Sequence, residues 1–460
     1  MFHKINKPEI IINYTSNVEL TATGNHSDIE ALKELLTIEN ISVTQRLTGL
    51  RHKPAFNQVH ARRQKAEILE LEAKQFVTMY GQNEDGSLSL PPGLWFLGAN
   101  ADTGHRSTVK PFVHGDERYY QNEIVAEMLS YKRSCVVAAT GTGKSLIIRN
   151  LVNSYVRMGK RVIVCVPSIE LLSQTAERVD SGLAMIGEKK CGRLGNGLNS
   201  TQGATVVLST IQSALKIIDR FDAVIFDETH QLSSESYQSV AAAALTAEFM
   251  HGLTATIHRP DGLTPLIYSW CGKPVYEYDY KQAVSEGFLS EVKYIQKRVH
   301  SGFIPWKGIH PSKEYMGVHG DPQFIQSVKT LVEKSLAAGR KTIVMFKSIE
   351  CCDALAETLG VKAANGFSRG ALHDFKAGKT QLLIANVSLV AVGIDIVDVS
   401  SIIFCASGRS EITFLQSIGR GTRLAPKKKD CIFVDVVADQ HRFIQSAEHR
   451  LGIAKSLGII

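Results

Sequence analysis

The chain has 460 residues, a formal net charge of +7 and 44% hydrophobic residues. This length predicts two to three domains, with enough apolar residues for a core in each. The mild positive charge fits a protein that holds a polyanion along one groove. No run approaches the roughly 18 apolar residues that a membrane span needs, and the first residues lack the apolar segment of a secretory signal. We therefore predict that the protein has no membrane partner.

The chain contains eight cysteines, with no C-x-x-C pair and no metal-site spacing among them. Cys135, Cys165, Cys405 and Cys431 lie in apolar runs that predict buried strands, where a thiol acts as a small apolar filler. We therefore predict a reduced, cytoplasmic protein, which lies in the host cytoplasm if the source is a virus.

Residues 1–110 are predicted to form an N-terminal accessory domain. The pattern indicates an extended start at residues 9–13, a helix over 27–37 and a long helix over 55–79, followed by turn clusters and a polar linker. Arg62, Arg63 and Lys65 form a basic cluster on the long helix. Binding of duplex phosphate and a solvated helix face explain this cluster equally well.

From residue 111 onward, apolar strands alternate with helical segments. In residues 111–285 the strands are predicted at 134–138, 161–166, 204–208 and 223–227. In residues 286–460 the pattern restarts, with strands at 341–346, 381–385, 401–405 and 431–436. Such alternation is typical of a parallel sheet covered by helices on both faces. The predicted fold class is α/β, with two parallel-sheet lobes in tandem after the small N-terminal α/β domain.

The stretch after strand 134–138 is predicted to bind nucleotide phosphates. It consists of Ala139, Thr140, Gly141, Thr142, Gly143, Lys144 and Ser145. Small residues let backbone N–H groups curl around a polyphosphate, Lys144 reaches the β and γ phosphates, and the Ser145 hydroxyl ligates Mg²⁺ at the start of a helix. Ala138 stands where the strict pattern has its first glycine.

Asp227 and Glu228 follow an apolar strand, at the end of a parallel strand where nucleotide sites form. Asp227 is predicted to hold Mg²⁺ beside the Ser145 hydroxyl. Glu228 is predicted to orient and deprotonate the water that attacks the γ-phosphate. An acidic pair after a strand is by itself more often a solvated turn. The phosphate loop before it and His230 after it favour the catalytic interpretation.

Arg420 and Arg423 lie three residues apart in the second lobe, a spacing that predicts one shared helical face. A guanidinium keeps its charge and presents a planar fork of donors, so both are predicted to stabilise charge on the transferring phosphoryl group. Without the other motifs, the favoured interpretation of the two arginines is that they lie on the surface of a polar helix. Because Lys144 and Asp227 belong to the other lobe, the sequence predicts a nucleotide site that involves both lobes.

Together these motifs resemble the superfamily 2 helicases of the DExH type, over residues 118–437. Further motifs in the family order stand at 166–174, 209–212, 252–256 and 342–346. The resemblance implies two RecA-like lobes, ATP and Mg²⁺ as cofactors, and ATP hydrolysis stimulated by nucleic acid. It also implies that Gln121 reads the adenine, that Gly393 and Asp395 belong to the nucleotide site, and that Gln416 acts with the arginines. Asn386 stands where the family usually carries Thr, at an expected backbone-phosphate contact.

Within the superfamily, the chain resembles phage branch-migrating helicases of the UvsW kind. The implied function is that of an ATP-dependent DNA helicase or translocase. Its substrates would be forks, displacement loops or four-way junctions in replication, recombination or repair, and RNA is the less favoured partner. Three alternatives stay open: an RNA helicase, a restriction-type DNA translocase, and a nucleic-acid-binding module that ATP switches.

Three smaller groups complete the sequence predictions. His230 and residues 254–256 are expected to couple the phosphate site to the nucleic-acid groove. Phe303, Trp306 and Tyr315 either stack on bases as a wedge or pin a loop to its own lobe. The three lysines at 427–429 are predicted to form a solvated turn, with contact to phosphate as the less favoured alternative.

Overall fold

The computed structural model describes residues 11–16, 19–51, 58–97, 106–113, 115, 117–259, 261–364, 370–391, 396, 398–426 and 428–460. By their internal contacts these residues divide into two compact units. The first unit lies within residues 1–138 and 145–277, and the second comprises residues 139–144 and 278–460.

The N-terminal part of the first unit contains two small antiparallel sheets. One has the strand order β1-β2-β6-β5, and the other pairs β3 with β4. The strands are β1 Ile11–Ser16, β2 Glu19–Thr23, β3 Thr37–Glu39, β4 Phe76–Thr78, β5 Gly81–Gln82 and β6 Leu88–Leu90, and the helices are α1 His26–Leu35, α2 Ile41–Arg51 and α3 Gln58–Glu72.

The long helix predicted over residues 55–79 is wrong. α3 ends at Glu72, and Phe76–Thr78 pairs instead with Thr37–Glu39, which the sequence pattern had placed partly in a helix. The pairing joins segments about forty residues apart. The local spacing of apolar residues therefore does not predict it. Arg62, Arg63 and Lys65 are exposed on α3, so phosphate binding by this cluster stays a prediction.

The N-terminal strands share a core with the helix α9 (Thr264–Cys271) of the first large sheet. Leu32, Leu88 and Leu94 cluster with Leu266 of α9. Gly93 passes so close to α9 that a Cβ there would lie 2.4 Å from the Tyr268 carbonyl oxygen. Residues 11–97 thus belong to the same compact unit as the first sheet, while the domain boundary near residue 110 stays a prediction.

The large sheet of the first unit has eight strands in the order β10-β9-β11-β8-β12-β13-β7-β14. From β9 to β7 in that order, neighbouring strands run parallel, as predicted. The strands are β7 Arg133–Ala138, β8 Val162–Val166, β9 Gly192–Gly195, β10 Leu198–Asn199, β11 Val206–Thr210, β12 Ala223–Asp227, β13 Phe249–Thr254 and β14 Pro274–Tyr278. Besides α9, the helices are α4 Tyr119–Leu129, α5 Lys144–Val156, α6 Ile169–Met185, α7 Ile211–Ala214 and α8 Glu235–Ala243.

The second unit contains a five-stranded parallel sheet in the order β15-β19-β18-β16-β17. The strands are β15 Val292–Val299, β16 Thr342–Phe346, β17 Leu382–Asn386, β18 Ser401–Phe404 and β19 Cys431–Ala438. The helices are α10 Tyr280–Ser285, α11 Pro311–His319, α12 Pro322–Ala337, α13 Ile349–Leu359, α14 Gly370–Lys376, α15 Val387–Ala391, α16 Glu411–Gly421 and α17 His441–Ser456. None of the helices in the described part of the chain is long and apolar enough to cross a membrane.

The sequence analysis missed the strand β15, which lies at one side of the second sheet. Lys293, Lys297 and Arg298 are exposed along it, and only Val292 and Val299 at its two ends are buried. Charged residues protect an outer strand from pairing with other chains, and they also remove the apolar run that identifies a buried strand.

A buried ion pair ties the end of the second unit to its sheet. Arg450 of α17 places Nη2 at 2.8 Å from Oδ1 of Asp435 in β19, and its Nε donates to Oδ2 at 2.9 Å. Nη1 of Arg450 also donates to the Gly408 carbonyl oxygen at 2.7 Å, just before α16. Both side chains are almost inaccessible to solvent, so loss of one partner leaves an uncompensated buried charge.

We expect Arg450→Met to destabilise the second unit by about 3–5 kcal/mol, because Asp435 then keeps a buried negative charge without its cation. The control is Arg442→Met on the same helix, whose ion pair with Glu314 is half exposed and should contribute about 0–1 kcal/mol. Urea unfolding followed by circular dichroism measures both free energies. Equal, small losses for the two variants would contradict the importance of the buried pair.

The histidine His251 is buried at the centre of the first unit and joins three of its elements. Its Nδ1 lies 2.6 Å from Oγ of Ser134 in β7, and its Nε2 lies 2.5 Å from the hydroxyl of Tyr155 in α5. The Ser134 hydroxyl donates to the Met128 carbonyl oxygen, so Nδ1 carries the ring proton and Nε2 accepts from Tyr155. Burial lowers the pKa of His251 to about 3.

This low pKa predicts that the first unit loses stability in mild acid. Between about pH 6.5, the ordinary histidine pKa, and the folded value of about 3, the unfolded chain binds a proton that the folded unit does not. The free energy of unfolding should therefore fall by about 2 kcal/mol from pH 7 to pH 5 for this residue. Urea titrations at both pH values should show a smaller fall for His251→Gln, while His373→Gln, at an exposed position, should behave like the parent. Identical pH dependence in all three proteins would contradict the prediction.

Candidate nucleotide and nucleic-acid site

The phosphate loop connects β7 to α5 and has the backbone that its sequence predicts. Gly141 has φ +93° and Gly143 has φ +88°, in the region where side chains are disfavoured. Thr142 closes the turn, since its N and Oγ1 both donate to the Ala139 carbonyl oxygen, at 3.2 and 2.7 Å. α5 begins at Lys144, with Ser145 in its first turn, where helix N–H groups favour anions.

The loop residues 139–144 belong by their contacts to the second unit, where they lie against the end of α16. The Thr422 hydroxyl is 3.3 Å from the Thr140 carbonyl oxygen. A Cβ at Gly419 would lie 2.3 Å from Thr140 Cγ2, and one at Gly141 would lie 3.0 Å from Thr422 Oγ1. Both glycines are therefore required by close approach.

Asp227 and Glu228 stand at the carboxyl end of β12, as predicted. Asp227 is 6% exposed, and its Oδ1 accepts a hydrogen bond from the Glu228 backbone N at 3.0 Å. Glu228 adopts the left-handed conformation, with φ 54° and ψ 53°. A non-glycine residue in this region costs about 1–3 kcal/mol, and such strain concentrates at functional sites.

A chain of polar contacts connects Glu228 to the segment after β13. Glu228 Oε2 lies 3.3 Å from His230 Nδ1, which lies 3.1 Å from the Thr254 hydroxyl. Thr254 donates its own proton to the Thr256 carbonyl oxygen at 2.7 Å, so Nδ1 of His230 is the donor to Thr254. The structure therefore brings together the residues predicted to couple the two sites, and the coupling itself stays a prediction.

Thr229 and Gly252 bring the ends of β12 and β13 together. Oγ1 of Thr229 lies 2.9 Å from the Leu253 carbonyl oxygen. A Cβ at Gly252 would lie 2.5 Å from Thr229 Cγ2. Only glycine at 252 permits this approach. Gly252 belongs to the motif at 252–256, but the sequence did not show why glycine is needed there.

Gln121 is buried in the first turn of α4. Its Oε1 accepts a hydrogen bond from the Arg118 backbone N at 3.1 Å, which caps the helix. The carboxamide oxygen is engaged in this cap, so the predicted contact with adenine stays a prediction.

The prediction that Arg420 and Arg423 share one helical face is wrong. α16 ends at Gly421, and Arg423 lies beyond its last turn. The helix end lies in close contact with β19, since a Cβ at Gly421 would be 2.4 Å from Cys431 Sγ. Arg420 is buried, while Gln416 and Arg423 are half-buried.

Lys428 is a residue whose role the sequence analysis missed. Its Nζ donates to the carbonyl oxygens of Gly421 and Arg423, at 2.5 and 2.6 Å. Burial lowers its pKa, and a cation at the carboxyl end of a helix is favourable. The solvated turn predicted for residues 427–429 is therefore wrong at Lys428, which fixes the backbone that carries Arg423.

Asn386 bridges the ends of two strands of the second sheet. Its Nδ2 donates to the Lys347 carbonyl oxygen at 2.6 Å, and its Oδ1 accepts from the Ser388 backbone N at 2.9 Å. The predicted nucleotide-site residues Gly393 and Asp395 lie outside the described residues.

The donor set predicted for the metal is the Ser145 hydroxyl and the Asp227 carboxylate. Hard oxygen ligands of this kind suit Mg²⁺, which is usually held by one or two protein oxygens together with substrate phosphates. Within the described ranges, no group of three or more His, Cys, Asp or Glu side chains is placed to hold a metal.

Comparisons with known proteins match both halves of the chain. Residues 114–259 match the family described as "Type III restriction enzyme, res subunit", and residues 324–425 match the helicase conserved C-terminal domain. The DNA 3'-5' translocase XPB2 of Sulfurisphaera tokodaii is 24% identical over 366 residues, which are 70% of this chain and 81% of that protein. The ATP-dependent DNA helicase uvsW of Enterobacteria phage T4 is 22% identical over 335 residues, 67% of this chain and 66% of that protein.

A solved structure shows the same fold. The ATP-dependent Type ISP restriction-modification enzyme LlaBIII bound to DNA has a TM-score of 0.54 and 16% identity, over 76% of this chain and 30% of that one. The two family matches, the named relatives and the order of the sequence motifs all agree. The chain belongs to the DExH-type superfamily 2 of ATP-hydrolysing helicases and translocases, with the phage UvsW helicase among its relatives.

Proposed function

We propose that this protein is a DNA-stimulated ATPase that unwinds or branch-migrates branched DNA, using ATP with Mg²⁺. The observation that carries the proposal is the group at the carboxyl ends of β12 and β13, where the strained Glu228 is linked through His230 to Thr254. Such a link suits a motor, because a movement of Glu228 at the reacting phosphate would be transmitted through His230 to the segment at Thr254. The relatives named as a DNA translocase and a DNA helicase support DNA as the partner.

In this proposal each residue of the site has one task. The loop amides and Lys144 bind the β and γ phosphates. Ser145 and Asp227 hold Mg²⁺, which neutralises phosphate charge when bound. Glu228 accepts the proton of the attacking water, and His230 holds the Glu228 carboxylate in place. Gln416, Arg420 and Arg423 act on the charge that develops on the phosphoryl group.

A second candidate is a restriction-type DNA translocase that works with a separate nuclease. It is favoured by the match of residues 114–259 to a restriction-enzyme subunit family. The two candidates differ in substrate, because a restriction-type translocase needs a long duplex and no branch.

ATP hydrolysis measured with single-stranded, duplex, forked and four-way DNA, and with RNA, tests the proposal. We expect the strongest stimulation by forked or four-way DNA. Stimulation by linear duplex alone would favour the restriction-type candidate, and stimulation by RNA alone would refute both.

We expect Glu228→Gln to retain ATP binding and to lower kcat by about 10²- to 10⁴-fold, because the amide keeps the shape but cannot accept the proton. The control is Glu235→Gln, an exposed carboxylate in the first turn of α8, which should keep the parent rate. Filter binding with ATP and a phosphate-release assay separate the two effects. Turnover at the parent rate in Glu228→Gln would assign the base to another carboxylate.

We expect Arg420→Ala and Arg423→Ala each to lower kcat far more than ATP affinity, by up to about 10³- to 10⁵-fold, the range for an arginine that stabilises transferring phosphate. Arg→Lys should restore little, since an ammonium lacks the planar fork. Arg442→Ala is the matched control, at an exposed position on α17. A double Arg420/Arg423 variant that hydrolyses ATP at the parent rate with DNA present would show that these arginines take no part.

A further inference from the structure

Among the described residues of the second unit, the most exposed large apolar side chains lie at the tip of the loop between β15 and α11. Ile304 is 85% exposed and Trp306 is 59% exposed. We call residues 304–306 the apolar tip. Proline at 305 restricts the backbone between the two side chains. The two side chains form a small exposed apolar patch, and exposed apolar patches are a feature of interaction sites.

The base of this loop is fixed by hydrogen bonds. Ser301 Oγ donates to the Val318 carbonyl oxygen at 3.0 Å, and the Gly302 backbone N donates to Asp321 Oδ1 at 3.1 Å. Phe303 packs against the core and lies so close to α11 that a Cβ at Gly317 would be 2.4 Å from its ring. The apolar tip therefore projects from an anchored base.

The three aromatic residues predicted as a possible wedge have different roles. Tyr315 is buried, its hydroxyl donates to the Cys405 carbonyl oxygen at 2.8 Å, and it accepts from the Lys347 backbone N at 2.8 Å. Phe303 and Tyr315 thus pin the loop to its own lobe, and Trp306 has the exposed ring of the three. The alternative of pinning the loop is confirmed for Phe303 and Tyr315, and base stacking by Trp306 stays a prediction.

Charge around the apolar tip favours a polyanion. Residues 301–313, which carry the tip, contain two lysines and no aspartate or glutamate. Lys307 and Lys313, on either side of the helix start, are exposed. Cations beside an exposed aromatic ring are the combination with which proteins hold single-stranded nucleic acid, because phosphates bind the cations and bases stack on the ring.

The loop also begins at the functional edge of its sheet. β15 runs parallel to β19, so Ser301 follows the same end of the sheet as Lys347 after β16 and Asn386 at the end of β17. In open parallel sheets, ligands bind at the carboxyl ends of the strands. The Tyr315 hydroxyl in α11, the helix that follows this loop, accepts a hydrogen bond from the Lys347 backbone N, directly after the family motif at 342–346.

We propose that the apolar tip stacks on an unpaired nucleobase and separates the strands at a duplex junction, with Trp306 as the stacking residue and Ile304 as an apolar contact beside it. This inference rests on the proposed function. The partner is a base at a single-strand/duplex junction, and the exposed lysines at 307 and 313 bind the adjoining phosphates.

The test compares Trp306→Ala, Trp306→Phe and Trp306→Leu in two assays. The binding free energy of one base stacked on an aromatic side chain corresponds to a factor of about 5 to 100 in affinity. We expect Trp306→Ala to lower the rate of forked-duplex unwinding by this factor, while ATP hydrolysis in the absence of DNA changes less than about twofold. Trp306→Phe keeps a ring and should restore most unwinding, whereas Trp306→Leu should not.

Ile295→Ala is the matched control, since Ile295 is exposed on β15 away from the tip and should leave unwinding unchanged. Equal rescue by Phe and Leu would show a docking contact with a protein instead of a base, and would overturn the proposal. Parent-like unwinding in Trp306→Ala would overturn it as well. If DNA fails to stimulate the unaltered protein, the proposed function fails first, and that outcome is distinct from a selective loss of unwinding.

Discussion

Parallel strand direction is the constraint on which the site depends in each unit. In a parallel sheet all strands end at the same edge, so segments far apart in sequence meet there. In the first unit this brings the segment after β12 against the segment after β13, and α5 starts from the same edge. In the second unit it places Lys347, Asn386 and the loop after β15 at one edge. Helices on both faces keep these sheets buried, and the functional residues lie in the connections.

Those connections hold conformations that the chain would not adopt alone. Glu228 is left-handed, and it is held by the hydrogen bond to Asp227 and the contact with His230. Gly141 and Gly252 occupy places where a Cβ would meet a neighbouring side chain. The surrounding packing compensates for this strain and holds the carboxylate of Glu228 in one orientation. Stability and chemistry therefore depend on the same few contacts.

Much of the fold could be predicted from local pattern. Four strands of each large sheet fall within about two residues of the predicted positions, because each buried parallel strand is a short apolar run. The strands β9, β10, β13, β14 and β15 were not predicted. Errors appear where distant pairing overrides the local period. Phe76–Thr78 pairs with Thr37–Glu39 instead of extending α3, and β15 was missed because its buried residues stand at its ends. α16 ends at Gly421, where the backbone lies close to Cys431 of β19, a contact between distant residues that local spacing does not predict.

The sequence by itself determined the motifs of the candidate site: the loop with Lys144 and Ser145, the acidic pair after an apolar strand, and the order of the motifs. These features depend on residue type and short spacing, which the chain carries locally. The tertiary structure alone decided which side chains are covered. It engages Gln121 in a helix cap, buries Tyr315 between two strand ends, turns Lys428 onto helix carbonyls and leaves Trp306 exposed. Burial is set by the residues that fold against a position, and those lie elsewhere in the chain.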